Sequence, residues 1–236
     1  MNCVKCGINE GKVYLSGKLL CEGCARSEII KRVRKELKMS KFLQEKREKI
    51  LLIYSEPFEE VSELLKKMIE AFTKNFLPEI RLFKVEESED VNETLWKMMK
   101  FALASEEKKI VLPITADFLL AYTIYSSSLS QFYYLFMESS IFSLNGKTFL
   151  VPLHSTSISE LYAFSEITGG LKLKDTLMSE ILNWEYEQFK DNEVVHTFET
   201  TIPLLTHGMK NCKECGALIA SEGLCKYCLR SSSHPY

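Results

Sequence analysis

The chain has 236 residues, of which 46% are hydrophobic and 26% charged, and its net charge is −2. That length can bury a sizeable core, so we expect one main domain with small appendages. The longest apolar stretch, 110–125, is interrupted by Pro113 and Asp117 and is too short to span a membrane. No secretory signal is evident at the N-terminus. We therefore predict a cytoplasmic protein with no membrane partner.

The first 24 residues carry two Cys-x-x-Cys pairs separated by 14 residues, Cys3 with Cys6 and Cys21 with Cys24. Four thiolates in this arrangement can complete a closed tetrahedral site around one ion. Residues 1–24 are therefore predicted to form a ribbon around a structural zinc. A redox-active pair is the alternative, but thiol exchange requires only one Cys-x-x-Cys.

A basic helix is predicted next, over 25–48, with an apolar stripe that includes Ile29 and Val33. Segment 26–49 holds ten Lys and Arg against four Glu, a local charge of 10 − 4 = +6, so the remainder carries −8. Such a face can lie along a phosphate backbone, which predicts nucleic-acid contact. The first choices for this contact are Arg32, Lys35 and Lys38. A basic face that is only solvated is the alternative.

Residues 50–54 form a short apolar run that predicts a buried parallel strand, and an amphipathic helix follows at once. In nucleotide-binding folds, glycines and a helix N-terminus hold the phosphate at this junction. Here the junction has no glycine and carries Glu56, Glu59 and Glu60. Each carboxylate about 5 Å from a phosphate charge costs about 3 kcal/mol at an effective dielectric near 20. We expect no tight triphosphate site, and we interpret Ser55 as a helix N-cap.

Strands and helices alternate through the middle of the chain, which predicts a parallel sheet covered on both faces. His154 follows a strand end and is interpreted as a loop residue, and Asp117 as a carboxylate at a helix N-terminus. Segment 132–142 is rich in aromatic residues and fits a buried core or a docking surface equally well. Further strands are predicted at 79–85, 108–112 and 147–151, and further helices at 90–104, 116–129, 157–168 and 175–189.

The chain closes with Cys212, Cys215, Cys225 and Cys228, a second pair of Cys-x-x-Cys turns nine residues apart. Residues 209–236 are predicted to form a second zinc ribbon. All eight cysteines belong to these two ends, which favours metal ligation in a reducing compartment over disulfides.

The order of these parts resembles the tRNA 2-thiolation enzymes of the PP-loop ATPase superfamily. The position of that family's phosphate-binding loop is occupied here by residues 55–60. The position of its second motif, T-G-H-N-x-D-D, is occupied by 113–117, and that of its third, K-P-L, by 151–153. The resemblance implies a PP-loop ATPase-like (adenine nucleotide hydrolase-like) α/β core over 49–208 between the two ribbons. Of the family's S-G-G-x-D-S only Ser55 remains, the paired aspartates are reduced to Asp117, and no cysteine lies between Cys24 and Cys212.

These departures resemble the degenerate partner subunit of the cytoplasmic tRNA thiolation complex. The resemblance implies a non-catalytic subunit, not itself an enzyme, that supports 2-thiolation of the tRNA wobble uridine. It would bind tRNA and a catalytic PP-loop thiolase in a heterodimer, with a ubiquitin-like sulfur carrier as a further partner. Two zinc ions are expected per chain, with neither ATP nor an iron–sulfur cluster. An active ATP-dependent tRNA-modifying enzyme with a divergent loop, and a zinc-ribbon nucleic-acid adaptor unrelated to thiolation, are the alternatives.

Overall fold

The computed structural model describes residues 1–188 and 201–233. At the N-terminus, strands β1 (Val13–Leu15) and β2 (Lys18–Leu20) pair as an antiparallel hairpin. Ser16 and Gly17 form its turn with φ of 49° and 71°, left-handed values that a two-residue hairpin turn favours. Helix α1 (Glu22–Met39) follows and buries Ala25, Ile29, Val33 and Leu37 at helical spacing.

A five-stranded sheet forms the centre of the fold, in the order β4-β3-β5-β7-β6. Its first four strands in that order are parallel, and β6 pairs with β7 in the antiparallel sense. Six of the seven β3 residues are buried although their side chains alternate between faces, so both faces of the sheet are covered there. The strands are β3 (Lys49–Ser55), β4 (Glu79–Val85), β5 (Lys109–Val111), β6 (Ile141–Leu144) and β7 (Lys147–Leu150).

Helices follow most of the parallel strands, as in α/β folds. Helix α4 is buried along most of its length, and α6 packs against it. Short 3-10 turns at Glu56–Phe58 and Leu135–Glu138 precede α2 and β6. The helices of this part are α2 (Glu59–Phe72), α3 (Val91–Ala104), α4 (Ala116–Leu129), α5 (Ile158–Leu161) and α6 (Thr176–Gln188).

The C-terminal part contains helix α7 (Ile202–Leu205), the two-residue strands β8 (Lys210–Asn211) and β9 (Leu218–Ile219), and helix α8 (Lys226–Ser233). Strands β8 and β9 pair in the antiparallel sense. Within 1–188 and 201–233, no helix is both long and apolar enough to cross a lipid bilayer.

The predicted α/β class with a mostly parallel sheet is confirmed, and three elements differ from prediction. The helix predicted over 25–48 is observed at Glu22–Met39, and Lys41, with a left-handed φ of 49°, lies just past its end. Strand β6 was not predicted, and it forms a hairpin with β7 through Asn145 and Gly146, whose φ values are 49° and 76°. The helix expected over 157–168 is limited to α5, although its capping box at Ser157 and Glu160 is present. The predicted end of α6 at Phe189 lies outside the described residues.

Candidate metal centres and nucleic-acid interface

The four N-terminal cysteines converge at one point of the ribbon. The sulfur atoms of Cys3, Cys6, Cys21 and Cys24 all lie within 4.8 Å of one another, and those of Cys6 and Cys21 are 3.9 Å apart. A tetrahedral ion with metal–sulfur bonds of about 2.3 Å places its ligand sulfurs about 3.8 Å apart. The donor set therefore fits a single thiolate-bound ion. Cys3 and Cys21 are buried, whereas Cys6 and Cys24 are half-buried.

The C-terminal cysteines form a second group of the same kind, and all four are buried. Their sulfur atoms also lie within 4.8 Å of one another, with Cys215 and Cys225 3.5 Å apart. The Cys215 thiol, as hydrogen-bond donor, lowers the pKa of Cys225. The same hydrogen bond raises the pKa of Cys215, so the two sulfurs share one proton until a metal replaces it. The group consists of Cys212, Cys215, Cys225 and Cys228.

The C-terminal group is held by side chains of the main domain. The indole N–H of Trp96 on α3 donates to the Cys228 sulfur at 3.2 Å, and the Tyr134 hydroxyl donates to the Cys215 sulfur at 3.5 Å. Such outer partners orient the ligands of a metal and tune its binding. Sequence spacing did not reveal either residue, because both lie far along the chain from the cysteines they contact.

Gly216 allows the second group to lie against the edge of the sheet. Its φ is +76°, which an L-residue rarely adopts, and its N–H donates to the Cys212 carbonyl at 2.9 Å. A Cβ at this position would lie 2.1 Å from a methyl carbon of Leu144 on β6. A larger residue would therefore have to displace either the Leu144 side chain or the cysteine turn, and it would also adopt an unfavourable positive φ.

The aromatic segment 132–142 is the surface on which the C-terminal group packs. Tyr134, Leu135 and Met137 are buried, and the Tyr133 carbonyl accepts the N–H of Leu218 at 2.7 Å. The interpretation as buried core therefore holds for Tyr134, Leu135 and Met137.

The basic helix α1 has two arginines that are held internally, Arg26 and Arg32, and several basic residues that face solvent. Arg32 donates to the Glu160 carboxylate and the Ser155 carbonyl, each at 3.0 Å, and to the Ser16 hydroxyl at 2.6 Å. Burial raises the pKa of Glu160, and the Arg32 guanidinium opposes that rise. Phosphate contact by Arg32 stays a prediction that would compete with these bonds. The exposed basic residues are Lys31, Arg34, Lys35 and Lys38.

A cleft of about 650 Å³ lies at the carboxyl ends of β3 and β4, the end where open α/β sheets bind ligands. Its lining carries four carboxylates together with the amines of Lys172 and Lys174. One carboxylate, that of Glu60, accepts the N–H of Thr168 at 2.8 Å and its hydroxyl at 2.6 Å. These two bonds lower the pKa of Glu60. The four acidic residues are Glu56, Glu59, Glu60 and Glu87.

Ser55 stands at the N-cap position before Glu56–Phe58, but its side chain makes no capping bond there. The interpretation of Ser55 as a side-chain N-cap is therefore wrong. It is buried at the end of β3, where its backbone pairs with Val85.

Asp117 is more than a helix N-terminal carboxylate. It is buried and accepts the Tyr186 hydroxyl at 2.6 Å and the Ile158 N–H at 3.1 Å, so it joins α4, α5 and α6. Burial raises the pKa of Asp117, and burial together with Asp117 raises the pKa of Glu185 to about 9.

His154 is half-buried, and its Nδ1 has no hydrogen-bond partner among the residues that the structure describes.

No family model matches this sequence, and no curated protein matches it. Among solved structures, the fold is similar to the U34-tRNA thiolase NcsA from Methanococcus maripaludis with its [4Fe-4S] cluster. The TM-score is 0.64 at 15% identity, and the match covers 100% of this chain and 97% of the thiolase. The fold of a tRNA thiolase thus extends over this whole chain.

This similarity corrects two of the predictions from sequence. The prediction that the chain is not an enzyme is wrong, because its fold is that of a tRNA thiolase. The exclusion of an iron–sulfur cluster is also wrong, because the similar thiolase carries a [4Fe-4S] cluster and this chain has two groups of four cysteines. Four thiolates are a donor set that binds such clusters as well as zinc.

Proposed function

We propose that this chain takes part in 2-thiolation of the tRNA wobble uridine, as a tRNA-binding subunit that works with a PP-loop thiolase. The observation that carries the proposal is the match to a U34-tRNA thiolase over the full length of both chains. The α/β core, the basic helix and both four-cysteine groups all lie within the matched length.

Metal binding at both cysteine groups is part of the proposal, with zinc as the first metal at each. The sulfur spacing supports one tetrahedral ion per group, held by Cys3, Cys6, Cys21 and Cys24 or by Cys212, Cys215, Cys225 and Cys228. A metal bound by all four thiolates has no open position, so each ion would stabilise its ribbon. We retain the division into ribbons at 1–24 and 209–236 and a core at 49–208, with the linking helix limited to Glu22–Met39.

Binding of tRNA is proposed for the exposed face of α1. Lys35 and Lys38 lie one turn apart and point to solvent, so both can contact successive phosphates without breaking an internal bond described here. Arg32 would join them only after leaving Glu160. A cytoplasmic thiolase subunit and a ubiquitin-like sulfur carrier remain the proposed protein partners.

An active ATP-dependent tRNA-modifying enzyme is the second candidate function. The 650 Å³ cleft favours it, because it lies at the ligand-binding end of the sheet beside Gly169 and Gly170. The acidic lining is the feature that such an enzyme would have to accommodate, for example by placing a cation between carboxylates and phosphates.

The test is mass spectrometry of tRNA wobble uridines from a strain that lacks the gene. We expect loss of 2-thiouridine at that position, restored by the wild-type gene and only weakly by a Lys35→Glu, Lys38→Glu double variant. A Lys213→Glu, Arg230→Glu double variant, which changes exposed charges at the other end, is the matched control. Unchanged thiolation in the deletion strain would refute the proposed function.

Purified protein separates the two candidates. If this chain acts through a partner, tRNA thiolation requires the PP-loop thiolase as well as this subunit. Thiolation and ATP consumption by the isolated chain would establish the second candidate instead.

A further inference from the structure

The N-terminal hairpin and helix α1 enclose a groove of about 890 Å³, which is within the size range of small-ligand sites. One wall is the hairpin, with Tyr14 and Lys18, and the other is α1, with Glu28 and Arg32. Tyr14 is 56% exposed, although it lies in a strand between two buried residues. A large aromatic side chain therefore faces the groove without being needed by the core.

Hydrogen bonds from the N-terminal cysteine turn and from α1 hold the walls of this groove. Val4 lies between Cys3 and Cys6, and its N–H donates to the Leu19 carbonyl at 3.1 Å, which ties the cysteine turn to β2. Arg32 donates to the Ser16 hydroxyl at 2.6 Å and so holds the tip of the hairpin against α1. These two bonds connect the walls of the groove to each other and to the cysteine turn.

The charges of the groove favour an anionic ligand. Among the residues that line the groove, Glu28 is the one with an acidic side chain. It forms ion pairs with Lys5 and, at 3.4 Å, with Lys31. Lys18 on the opposite wall has no ion-pair partner in the described part of the chain. Lys31 and Lys35 are three and seven positions after Glu28, so they lie on the same face of α1 as this residue of the groove wall.

We infer that this groove binds an unpaired RNA nucleotide, with its base stacked on Tyr14 and its phosphate near Lys18 and Lys35. An exposed aromatic ring beside lysines is the arrangement by which proteins hold unstacked bases of single strands and loops. The inference rests on the proposed function, since it names which part of the tRNA the N-terminal ribbon takes: a loop rather than a duplex stem.

The experiment compares binding of a hairpin RNA with an open loop, and of a blunt duplex of equal length, to the full chain. Tyr14→Ala should weaken binding of the hairpin RNA about tenfold, because one stacked base is lost. Tyr14→Phe should retain the affinity, because the ring remains. Duplex affinity and the salt dependence of binding should not change in either variant.

A Trp184→Ala variant is the matched control, since Trp184 is also an exposed aromatic residue but lies on α6, outside the groove. Metal content and thermal unfolding of the Tyr14 variants should equal those of the wild type. Wild-type hairpin affinity in Tyr14→Ala would overturn the inference, as would equal weakening of the hairpin and the duplex.

This outcome is independent of the test of the proposed function. If loop binding depends on Tyr14 but deletion of the gene leaves tRNA thiolation intact, the inference on the groove stands and the proposed role in thiolation is refuted. If deletion abolishes thiolation but RNA binding does not depend on Tyr14, the proposed function stands and the inference on the groove is refuted.

Discussion

The two four-cysteine groups have the same ligands but different surroundings. The N-terminal group has two half-buried cysteines and rests on a hairpin and one helix. The C-terminal group is fully buried and receives hydrogen bonds from Trp96 and Tyr134 of the main domain. The difference indicates that the C-terminal cysteine group is part of the core, whereas the N-terminal group lies at a surface.

Their neighbours support the same division. Around the C-terminal group, Tyr227 donates to Asp90 at 2.5 Å and Leu144 fills the space above Gly216. Around the N-terminal group, exposed apolar side chains remain at Met1, Val4 and Ile8. A ribbon with exposed apolar residues next to a basic helix is suited to binding another molecule.

The largest expected effect is on stability, when one cysteine of each group is changed to serine. Cys215→Ser should lower the free energy of unfolding of the whole domain by about 4 kcal/mol, because losing a structural metal also unseats the packing of the core. Cys6→Ser should unfold the N-terminal ribbon alone. Thermal unfolding and region-resolved hydrogen exchange measure the two effects. Equal loss of global stability in both variants would contradict the comparison.

A smaller effect is expected on metal retention when Trp96 is changed to phenylalanine. This removes the N–H donor to Cys228 and keeps a ring in place, so the C-terminal site should lose metal to a chelator 10- to 100-fold more readily. Asn9→Ala is the control at the other group, where the Asn9 side-chain nitrogen is 3.9 Å from the Cys21 sulfur. The control should change little, because so long a contact is weak. Equal sensitivity would remove the distinction between the sites.

The sequence predicted the cysteine groups and the strongly periodic elements well. The bounds of β4 and α4 agree with prediction, because β4 largely alternates polar and apolar residues and α4 is an apolar run that is buried on nearly all sides. The eight cysteines assemble in the two predicted sets, since Cys-x-x-Cys turns fix their ligands locally. Strand β6 was missed although Asn145-Gly146 is a recognised hairpin turn, because the aromatic residues before it have no clear period.

Contacts between residues far apart in the chain could not be predicted from the sequence. Arg32 meets Glu160 across 128 positions and Tyr186 meets Asp117 across 69, so no local pattern could pair them. The predicted helix after Ser157 was too long for a similar reason. Arg26 of α1 donates to the Ala163 carbonyl at 2.9 Å, in the turns that follow α5. A contact from a distant helix thus satisfies a carbonyl there.

The smallest expected effect concerns RNA affinity and distinguishes the two ends by charge. Lys35→Glu with Lys38→Glu should weaken tRNA binding in all tRNA species alike and reduce the salt slope by about two units, because each lost phosphate contact removes about one. The same reversal at Lys213 and Arg230, exposed beside the C-terminal group, should leave the slope unchanged if that metal serves the core. Affinities measured over a range of salt concentrations give both slopes. An unchanged slope in the α1 variant would make its basic face merely solvated, and a reduced slope in the C-terminal variant would mean that both ends contact RNA.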